Sequence, residues 1–430
     1  MPTAGWNRRD FVKTSAVLSA AALTGPLAGA YGRAGRSADR LRIGVIGCGG
    51  RGTGAAANAL EAGSDVEIFA LGDVFPERVA SCRKNLSQID EAYRDRITVN
   101  DDRCFTGFDA YRHVISSGVD MVILATPPHF RPMHIAAAIA AGKHVFAEKP
   151  VAVDPIGVRL VLKAADEADA RGLRFVAGTQ RRHQRSYLEG VARIHEGAIG
   201  RITGGSCYWN QGGLWVVDRK PEWTDMQWQT RNWLYFTWLS GDHIVEQHVH
   251  NLDVMNWAIG SPPVSCVGMG GRQVRTDPKY GHIFDHFAVE YTYPGGIVVN
   301  SYCRQMPGCA DRVAEVIRGT SGTMNLWPGH ARAEGASPWQ FGAGDPNPYV
   351  QEHRALQEAV FNRLPLNEGR AVAESTLTAI MGRMSAYTGK QVTWDFALNH
   401  STLHLAPENY DWNAAPPPDE IAVPGRTPLT

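Results

Sequence analysis

Residues 41–52 read LRIGVIGCGGRG and place a glycine-rich turn directly after an apolar run. The run from Leu41 to Ile46 predicts a buried strand, and the alanine-rich stretch after the glycines predicts a helix. Glycines in the pattern GxGxxG at a strand-to-helix turn are typical of dinucleotide binding, because the free N–H groups at the helix N-terminus attract phosphates. The predicted contacts in this turn are Gly47, Gly49, Gly50, Arg51 and Gly52.

A carboxylate follows the next predicted strand. This strand runs from Val66 to Leu71 and ends in Gly72-Asp73. Asp73 lies close to the spacing at which an acidic residue accepts hydrogen bonds from the adenosine ribose of a dinucleotide. A 2′-phosphate at that place would face a like charge, so the sequence favours NAD. Arg78 is near enough in sequence to leave NADP as the alternative.

Strands and helices continue to alternate beyond this point, which predicts a doubly wound parallel sheet. Apolar strands at 119–126, 144–147 and 174–177 alternate with helices at 134–141 and 154–170. Ligands of such sheets bind beyond the carboxyl ends of the strands. The further residues expected at those ends are Thr126, Pro127, His129, Glu148 and Lys149. We therefore predict a Rossmann domain over residues 39–150, with residues 151–180 completing its sheet.

The N-terminus predicts export. Residues 7–13 read NRRDFVK and precede an apolar run that ends in small residues near Ala30. This run is too short for a membrane span, and the paired arginines favour a twin-arginine signal over residues 1–38, so we expect a periplasmic protein with no membrane insertion after signal removal. The 43 basic and 43 acidic residues balance, which gives no electrostatic case for a nucleic acid partner.

The leader, the GxGxxG turn, ATPP at 125–128 and AEKP at 147–150 together resemble the Gfo/Idh/MocA oxidoreductases, the family of glucose–fructose oxidoreductase and inositol dehydrogenase. The resemblance implies a second, α+β domain with a large, mostly antiparallel, open-faced sheet. We place this domain at residues 181–395, where alternating β-branched stretches are frequent, and assign residues 396–430 to a proline-rich tail. The resemblance also implies a homo-oligomer, either a dimer or a tetramer.

The stretch DHIVEQHVHNLD at 242–253 concentrates three histidines and three acidic residues. The resemblance implies that Glu246 and His250 act in catalysis with Lys149. On an ideal helix His243, Glu246 and His250 share one face, which leaves three interpretations open: an acid/base site, a divalent metal site, and a structural polar seam. We favour the first and predict no metal, since hydride transfer to NAD needs none.

The predicted function is hydride transfer at a carbinol carbon of a sugar, polyol or sugar derivative. An exported compartment maintains no pool of NAD, so we expect a tightly bound cofactor that is regenerated in place. The alternative is an NAD-dependent glycoside hydrolase or lyase that works through a transient 3-keto sugar. The third hypothesis is a non-catalytic sugar or nucleotide sensor. Candidate substrate contacts are Arg182, Arg231, Trp233, Asp242 and His250.

Overall fold

The protein is described by a computed structural model, which covers residues 40–418 and 420–430. The predicted twin-arginine signal at 1–38 lies outside the described residues. Within the described ranges, none of the helices combines the length and the apolar character that crossing a membrane would need.

The first unit is a parallel sheet covered by helices on both faces. Its strands are β1 (Leu41–Ile46), β2 (Val66–Asp73), β3 (Cys104–Thr106), β4 (Met121–Leu124), β5 (His144–Ala147) and β6 (Phe175–Ala177). Its helices are α1 (Gly50–Ala62), α2 (Pro76–Ser87), α3 (Ala110–Ser116), α4 (Arg131–Ala140) and α5 (Pro155–Ala170). The strand order is β3-β2-β1-β4-β5-β6, so the winding reverses between β1 and β4 and opens a crevice at their carboxyl ends. This confirms the predicted doubly wound sheet.

The local sequence explains these elements. Ile43 and Val45 of β1 are fully buried, as expected for a central strand that has helices on both faces. Helix α1 buries Ala55 and Ala59, and these small side chains let it approach the sheet closely. Helix α5 begins at a cap in which the Asp154 carboxylate accepts a 2.7 Å hydrogen bond from the Gly157 N–H.

The second unit is built on a large, mostly antiparallel sheet. Its strands are β7 (Ile202–Gln211), β8 (Ser265–Gly271), β9 (His286–Tyr293), β10 (Ile297–Gln305), β11 (Arg312–Gly319), β12 (Gly322–Trp327), β13 (His330–Gly335), β14 (Trp339–Gln340) and β15 (Val392–Thr393). They lie in the order β14-β13-β12-β11-β7-β10-β9-β8-β15, and β7 and β10 are parallel neighbours. The remaining helices are α6 (Arg185–His195), α7 (Asp225–Arg231), α8 (Thr237–Ser240), α9 (His243–Glu246), α10 (Val249–Ile259), α11 (Pro348–Phe361) and α12 (Gly369–Thr388).

One face of this sheet is open. Helices α10 and α12 pack on the other face, and most of their residues are buried. The open face exposes large apolar side chains, among them Met269, which is 71% exposed, and Tyr302, which is 40% exposed. The structure therefore confirms the open-faced sheet that the resemblance implied.

The chain returns to the first unit after the second sheet. Helix α11 packs on α1, and the Gln357 side-chain amide donates a 2.8 Å hydrogen bond to the Ala59 carbonyl. Leu356 and Leu366 complete the apolar cluster beneath β1. The contiguous boundary drawn at 181–395 did not anticipate this return, because the apolar spacing of a helix does not reveal which sheet it covers.

The stretch at 242–253 is not one regular helix. The N–H of His248 donates to the carbonyl of His243, five residues earlier, at 3.1 Å. This widened turn separates α9 from α10 and rotates the residues after it away from their ideal helical positions. An ideal helix over 242–253, from which the shared face of His243, Glu246 and His250 is predicted, therefore does not describe this stretch.

Candidate active site

A cavity lies at the carboxyl ends of the parallel strands, between the first sheet and the second unit. It is lined by residues of both units, and it brings together many of the predicted site residues. Those that line it are Gly47, Gly49, Arg51, Asp73, Thr126, Pro127, Glu148, Lys149, Trp233, Glu246 and His250.

The glycine-rich turn leaves an open cradle at the start of α1. Gly47 has a φ of +96°, and a Cβ there would lie 2.5 Å from the backbone of Ala125. A Cβ on Gly52 would lie 1.8 Å from the Gly47 carbonyl oxygen, so this position keeps helix and strand close. Gly49 is the N-cap residue of α1 and borders the cavity. Because glycine has no side chain that could cap the helix, the N–H groups of the first turn have no side-chain acceptor at this position. The N–H groups behind it are therefore available to a phosphate.

Asp73 marks the ribose end of the cavity. Its Oδ2 accepts a 2.7 Å hydrogen bond from the Cys48 N–H, and its Oδ1 accepts a 3.0 Å bond from the Phe75 N–H. These bonds fix the carboxylate at the end of β2, although burial raises its pKa. Arg78 lines the same end. Cradle and carboxylate together fit an NAD molecule, with its phosphates at Gly49 and its adenosine ribose at Asp73.

Lys149 and Glu246 meet across the interface between the two units. The Lys149 ammonium donates a 2.9 Å hydrogen bond to Glu246 Oε1 and a 2.6 Å bond to the Glu246 carbonyl oxygen. The two side chains are 11% and 10% exposed. An ammonium carries three N–H donors, so one remains to reach a substrate oxygen. Glu246 Oε2 is buried and finds no partner among the described residues, which leaves it free for a substrate hydroxyl.

His250 lines the cavity as a neutral imidazole. Burial lowers its pKa well below the usual value, and the positive charges of Lys149 and Arg181 lower it further. Its ring stacks on Trp209 with the ring centroids 5.6 Å apart and the planes 19° from parallel. The stack orients the ring, and the neutral form can accept a proton.

Glu148 contacts the phosphate turn. Its carboxylate is buried and accepts a hydrogen bond from the Arg51 guanidinium. A second buried carboxylate, that of Glu352, lies 3.6 Å from Arg51 Nη2. Burial and the Glu148 charge raise the pKa of Glu352 well above its usual range. Arg51 therefore links the turn at Glu148-Lys149-Pro150, which follows β5, to the glycine-rich turn that follows β1.

Two predicted substrate contacts are engaged elsewhere. The Arg182 guanidinium binds both carboxylate oxygens of Asp253 at 2.8–3.1 Å, and Arg182 does not line the cavity. Asp242 is fully buried and accepts hydrogen bonds from the Tyr387 hydroxyl at 2.6 Å and the Phe284 N–H at 2.9 Å. The polar atoms of both side chains already have partners within the protein, so these residues stabilise the fold and are not available to a substrate.

Arg231 and His129 also lie behind the cavity wall. Arg231 forms a 2.6 Å ion pair with Glu77, and its guanidinium lies 3.8 Å from the ring centroid of Phe75. The His129 ring is buried and shares a 2.8 Å hydrogen bond with the Tyr410 hydroxyl. Phe75 lines the cavity, so Arg231 acts on the cavity through that ring.

The geometry does not gather the histidines around a metal. The His243 ring is buried edge-on against Phe287 at 5.1 Å and does not line the cavity with Glu246 and His250. Across the described ranges 40–418 and 420–430, no group of three or more His, Cys, Asp or Glu residues is placed to hold a metal ion.

Several lining residues escaped the sequence reasoning. Phe75 follows the end of β2, and this position could have identified it, whereas Phe108 follows β3, a strand of only three residues. Tyr349 comes from α11, far along the chain, and no local signal marks it. Trp209 also lines the cavity, where it stacks on His250.

A doubly wound dinucleotide fold whose strand ends face a lysine, a carboxylate and an imidazole defines the class of NAD-binding oxidoreductases. The model of the oxidoreductase family GFO_IDH_MocA, with an NAD-binding Rossmann fold, matches residues 41–175. The model of the GFO/IDH/MocA C-terminal domain matches residues 187–325. The chain belongs to the GFO/IDH/MocA oxidoreductase family.

Two curated relatives have different activities. Inositol 2-dehydrogenase of Acidothermus cellulolyticus is 31% identical over 288 residues, which are 66% of this chain and 72% of that protein. The 2,7-anhydro-N-acetylneuraminate hydratase of Escherichia coli is 32% identical over 187 residues. That match covers 43% of this chain and only 45% of the hydratase.

A solved structure shares the fold. The crystal structure of aldose–aldose oxidoreductase from Caulobacter crescentus in complex with glycerol superimposes with a TM-score of 0.64. The match covers 82% of this chain and 99% of that chain at 18% identity. The two-unit architecture is therefore common to proteins of widely different sequence.

Buried neutral histidines predict a loss of stability in acid. Burial lowers the pKa of His129, His134, His248 and His353 to about 3. The unfolded chain binds protons at these sites below a pH of about 6.5 and the folded chain does not, so stability falls as the pH falls, by up to about 1.4 kcal/mol per pH unit for each histidine. Two buried carboxyls, Glu315 and Asp242, have raised pKa values and offset part of this loss.

Thermal unfolding between pH 8 and pH 5 measures this effect. We expect the melting temperature to fall below about pH 6.5. His353→Phe should flatten the fall, because the His353 ring stacks on Phe146 and neither ring nitrogen has a partner in the described structure. His113→Phe, at an exposed position where the ring stacks on Phe105, is the matched control and should leave the slope unchanged. A melting temperature independent of pH in this range would contradict the buried-histidine account.

Proposed function

We propose that the protein is an exported, NAD-dependent oxidoreductase that transfers a hydride from a carbinol carbon of a sugar, polyol or sugar derivative. The observation that carries the proposal is the contact of Lys149 with Glu246 at the end of β5, beside His250 in one cavity. A lysine, a carboxylate and a neutral imidazole around one space are the groups that oxidation of a hydroxyl requires.

Oxidation of a carbinol removes a hydride from carbon and a proton from oxygen. Bound NAD supplies the hydride acceptor. The free N–H donor of Lys149 holds the hydroxyl oxygen, while Glu246 keeps the ammonium in place through its carboxylate and its carbonyl oxygen. The hydroxyl proton passes to the neutral imidazole of His250, whose lowered pKa keeps it unprotonated at neutral pH. The product is a ketone, or a lactone when the carbinol is an anomeric carbon.

Aromatic side chains support a carbohydrate as the substrate. Trp233 lines the same cavity as Glu246 and His250, whereas the ring of Trp209, which also lines it, is stacked on His250. Indole rings offer flat apolar faces to sugar C–H groups, and carboxylates accept hydrogen bonds from hydroxyls. Gln180 adds a buried side-chain oxygen that has no partner among the described residues. Trp233, Glu246 and His250 are therefore the substrate contacts that we retain.

Reduced cofactor must be reoxidised within the same protein if the compartment contains no free NAD. We propose that a second sugar or ketone takes the hydride back in the same cleft, as expected for a protein exported in its folded form by the twin-arginine route. The periplasmic location and the retention of the cofactor both rest on the leader sequence at residues 7–30. Asp73 favours NAD over NADP, since its carboxylate would repel a 2′-phosphate.

A redox-neutral hydratase or lyase is the second candidate. It is favoured by the 32% identity to the 2,7-anhydro-N-acetylneuraminate hydratase over 187 residues. In such a reaction the oxidation is transient. The keto group acidifies the neighbouring C–H, and loss of that proton and of a leaving group forms a double bond. Water adds to this bond in a hydratase, and the hydride returns to the keto carbon. The same Lys149 and His250 would move the protons.

We also propose a homo-oligomer, a dimer or a tetramer, that forms through the open face of the second sheet. The exposed apolar side chains on this face support the proposal, since an apolar patch on a sheet is typical of protein interfaces. They include Val267, Met269, Tyr302 and Trp327.

The deciding experiment begins with the natively purified protein. We expect mass spectrometry after denaturation to detect about one nicotinamide dinucleotide per chain, without added cofactor. A panel of aldoses, polyols and anhydrosugars is then supplied singly and in pairs. A paired oxidation and reduction without free NAD supports the oxidoreductase, whereas elimination or hydration with unchanged redox balance supports the second candidate. Freely exchanging cofactor of millimolar affinity would contradict internal recycling.

A further inference from the structure

The segment at residues 401–414 crosses from the first unit to the second over the adenosine end of the cavity. It follows the helical turn at Phe396–His400 and contains neither helix nor strand. The Leu405 N–H donates a 2.8 Å hydrogen bond to Asp154 in the first unit. Further along, the Trp412 carbonyl oxygen accepts a hydrogen bond from the Thr224 hydroxyl in the second unit. We call this segment the strap.

Two aromatic residues of the strap hold the cavity wall. The Trp412 ring stacks on Phe75 with the ring centroids 5.2 Å apart and the planes 19° from parallel, and it packs against Phe108 at 4.6 Å. The Tyr410 ring lies 5.9 Å from Phe108. Phe75 and Phe108 both line the cavity, and neither Tyr410 nor Trp412 does. The strap therefore acts on the cavity through this wall.

Polar contacts also hold the part of the cavity wall that Phe75 and Phe108 form. The Tyr410 hydroxyl shares its 2.8 Å hydrogen bond with the buried ring of His129. The Arg231 guanidinium, which is paired with Glu77, also lies over the Phe75 ring. Phe75 follows Asp73 by two residues, and its N–H is one of the two donors that hold that carboxylate. Movement of the Phe75 ring would therefore disturb both the wall and the ribose contact.

We propose that the strap retains the dinucleotide, with Tyr410 and Trp412 as positioning residues that keep Phe75 and Phe108 closed over its adenosine end. This inference rests on the proposed function, because it assigns a structural cause to the slow cofactor release that internal recycling requires. Release of the dinucleotide then requires the strap to lift from the wall, which breaks the aromatic stack and the Tyr410–His129 hydrogen bond.

The test is the rate at which bound NADH leaves. The protein is stripped of its own cofactor by mild denaturation, refolded and loaded with NADH, and the loss of bound-NADH fluorescence is followed after a chase with excess NAD. We expect Trp412→Ala to accelerate release by about tenfold or more, because affinity changes at an interface appear mainly in the dissociation rate. Trp412→Phe, which keeps a stacking ring, should restore most of the wild-type rate.

Matched variants separate an effect on the rate of cofactor release from an effect on folding. Trp394→Ala removes a partly buried tryptophan just upstream of the strap and outside the cavity, and it should leave the NADH release rate unchanged. Tyr410→Phe removes only the hydroxyl that bonds His129 and should accelerate release by a few-fold. If Trp412→Ala does not fold, Tyr410→Phe decides the question, because Trp412→Phe is expected to stay close to the wild-type rate. The KM for the sugar substrate should not change in any of them.

The outcomes for the strap and for the proposed function are distinct. A wild-type protein that does not bind NADH contradicts the proposed function. A wild-type protein that binds NADH, with Tyr410→Phe and Trp412→Ala releasing it at the wild-type rate, contradicts the strap alone.

Discussion

Lys149→Ala is expected to lower the rate of hydride transfer by about a thousandfold or more while the dinucleotide stays bound. In the proposed mechanism the lysine holds the substrate oxygen and takes part in proton movement, and loss of a positioned acid or base typically costs 10²–10⁴-fold. Its ammonium does not contact the glycine-rich turn, which forms the predicted cofactor cradle. The measurement is single-turnover formation of NADH absorbance in protein loaded with NAD, with cofactor occupancy measured on the same sample.

Two further variants complete this experiment. Glu246→Gln keeps the shape but weakens the partner of the ammonium, so we expect a smaller loss in the rate, of about tenfold to a hundredfold. Lys163→Ala removes an exposed lysine of α5 and is the matched control. Hydride transfer at a near wild-type rate in Lys149→Ala would refute the assigned role of the lysine.

Gly49→Val is expected to weaken dinucleotide binding by about a hundredfold or more without unfolding the protein. The backbone of Gly49 is extended, with a φ of −72°, so valine can adopt it. A Cβ there meets only the flexible end of Arg78, at 3.6 Å. The added methyl groups would instead enter the space that the phosphates need. Titration of stripped protein with NADH measures the change, and a hundredfold loss corresponds to about 2.8 kcal/mol.

The control for this variant lies one turn further along the same helix. Gly54→Val introduces the same side chain into α1 at another glycine with open space around it, and Gly54 does not line the cavity. We expect this protein to bind NADH as the wild type does. Equal affinities for Gly49→Val and Gly54→Val would place the phosphates elsewhere.

The first sheet was predictable because each of its central strands is buried on both faces. Such strands appear in the sequence as short apolar runs that end in glycine, proline or charged residues, and the central strands β1, β2, β4 and β5 follow this rule. The edge strand β6 follows it too, because its three residues are all buried. The edge strand β3 was missed. It has only three residues and none is fully buried, so its pairing with β2 leaves little trace in the pattern of residues.

The parts of the site that lie at the carboxyl ends of the parallel strands were predictable from the sequence. Lys149 lines the cavity because the turn after β5 lies at the carboxyl end of the sheet, where the crevice opens. The parts that depend on long-range packing were not predictable. The widened turn before His250 and the pairing of Arg182 with Asp253 both arise from contacts with distant elements, which the local spacing of residues does not record.

The strap lies after both units along the chain, and this order has a consequence for biosynthesis. Leu356 and Leu366, which complete the apolar cluster beneath β1, also precede the strap along the chain. Under the proposed retention, the cleft could therefore take up a dinucleotide before Tyr410 and Trp412 pack on its wall, and a protein whose strap packed first would exchange cofactor only slowly.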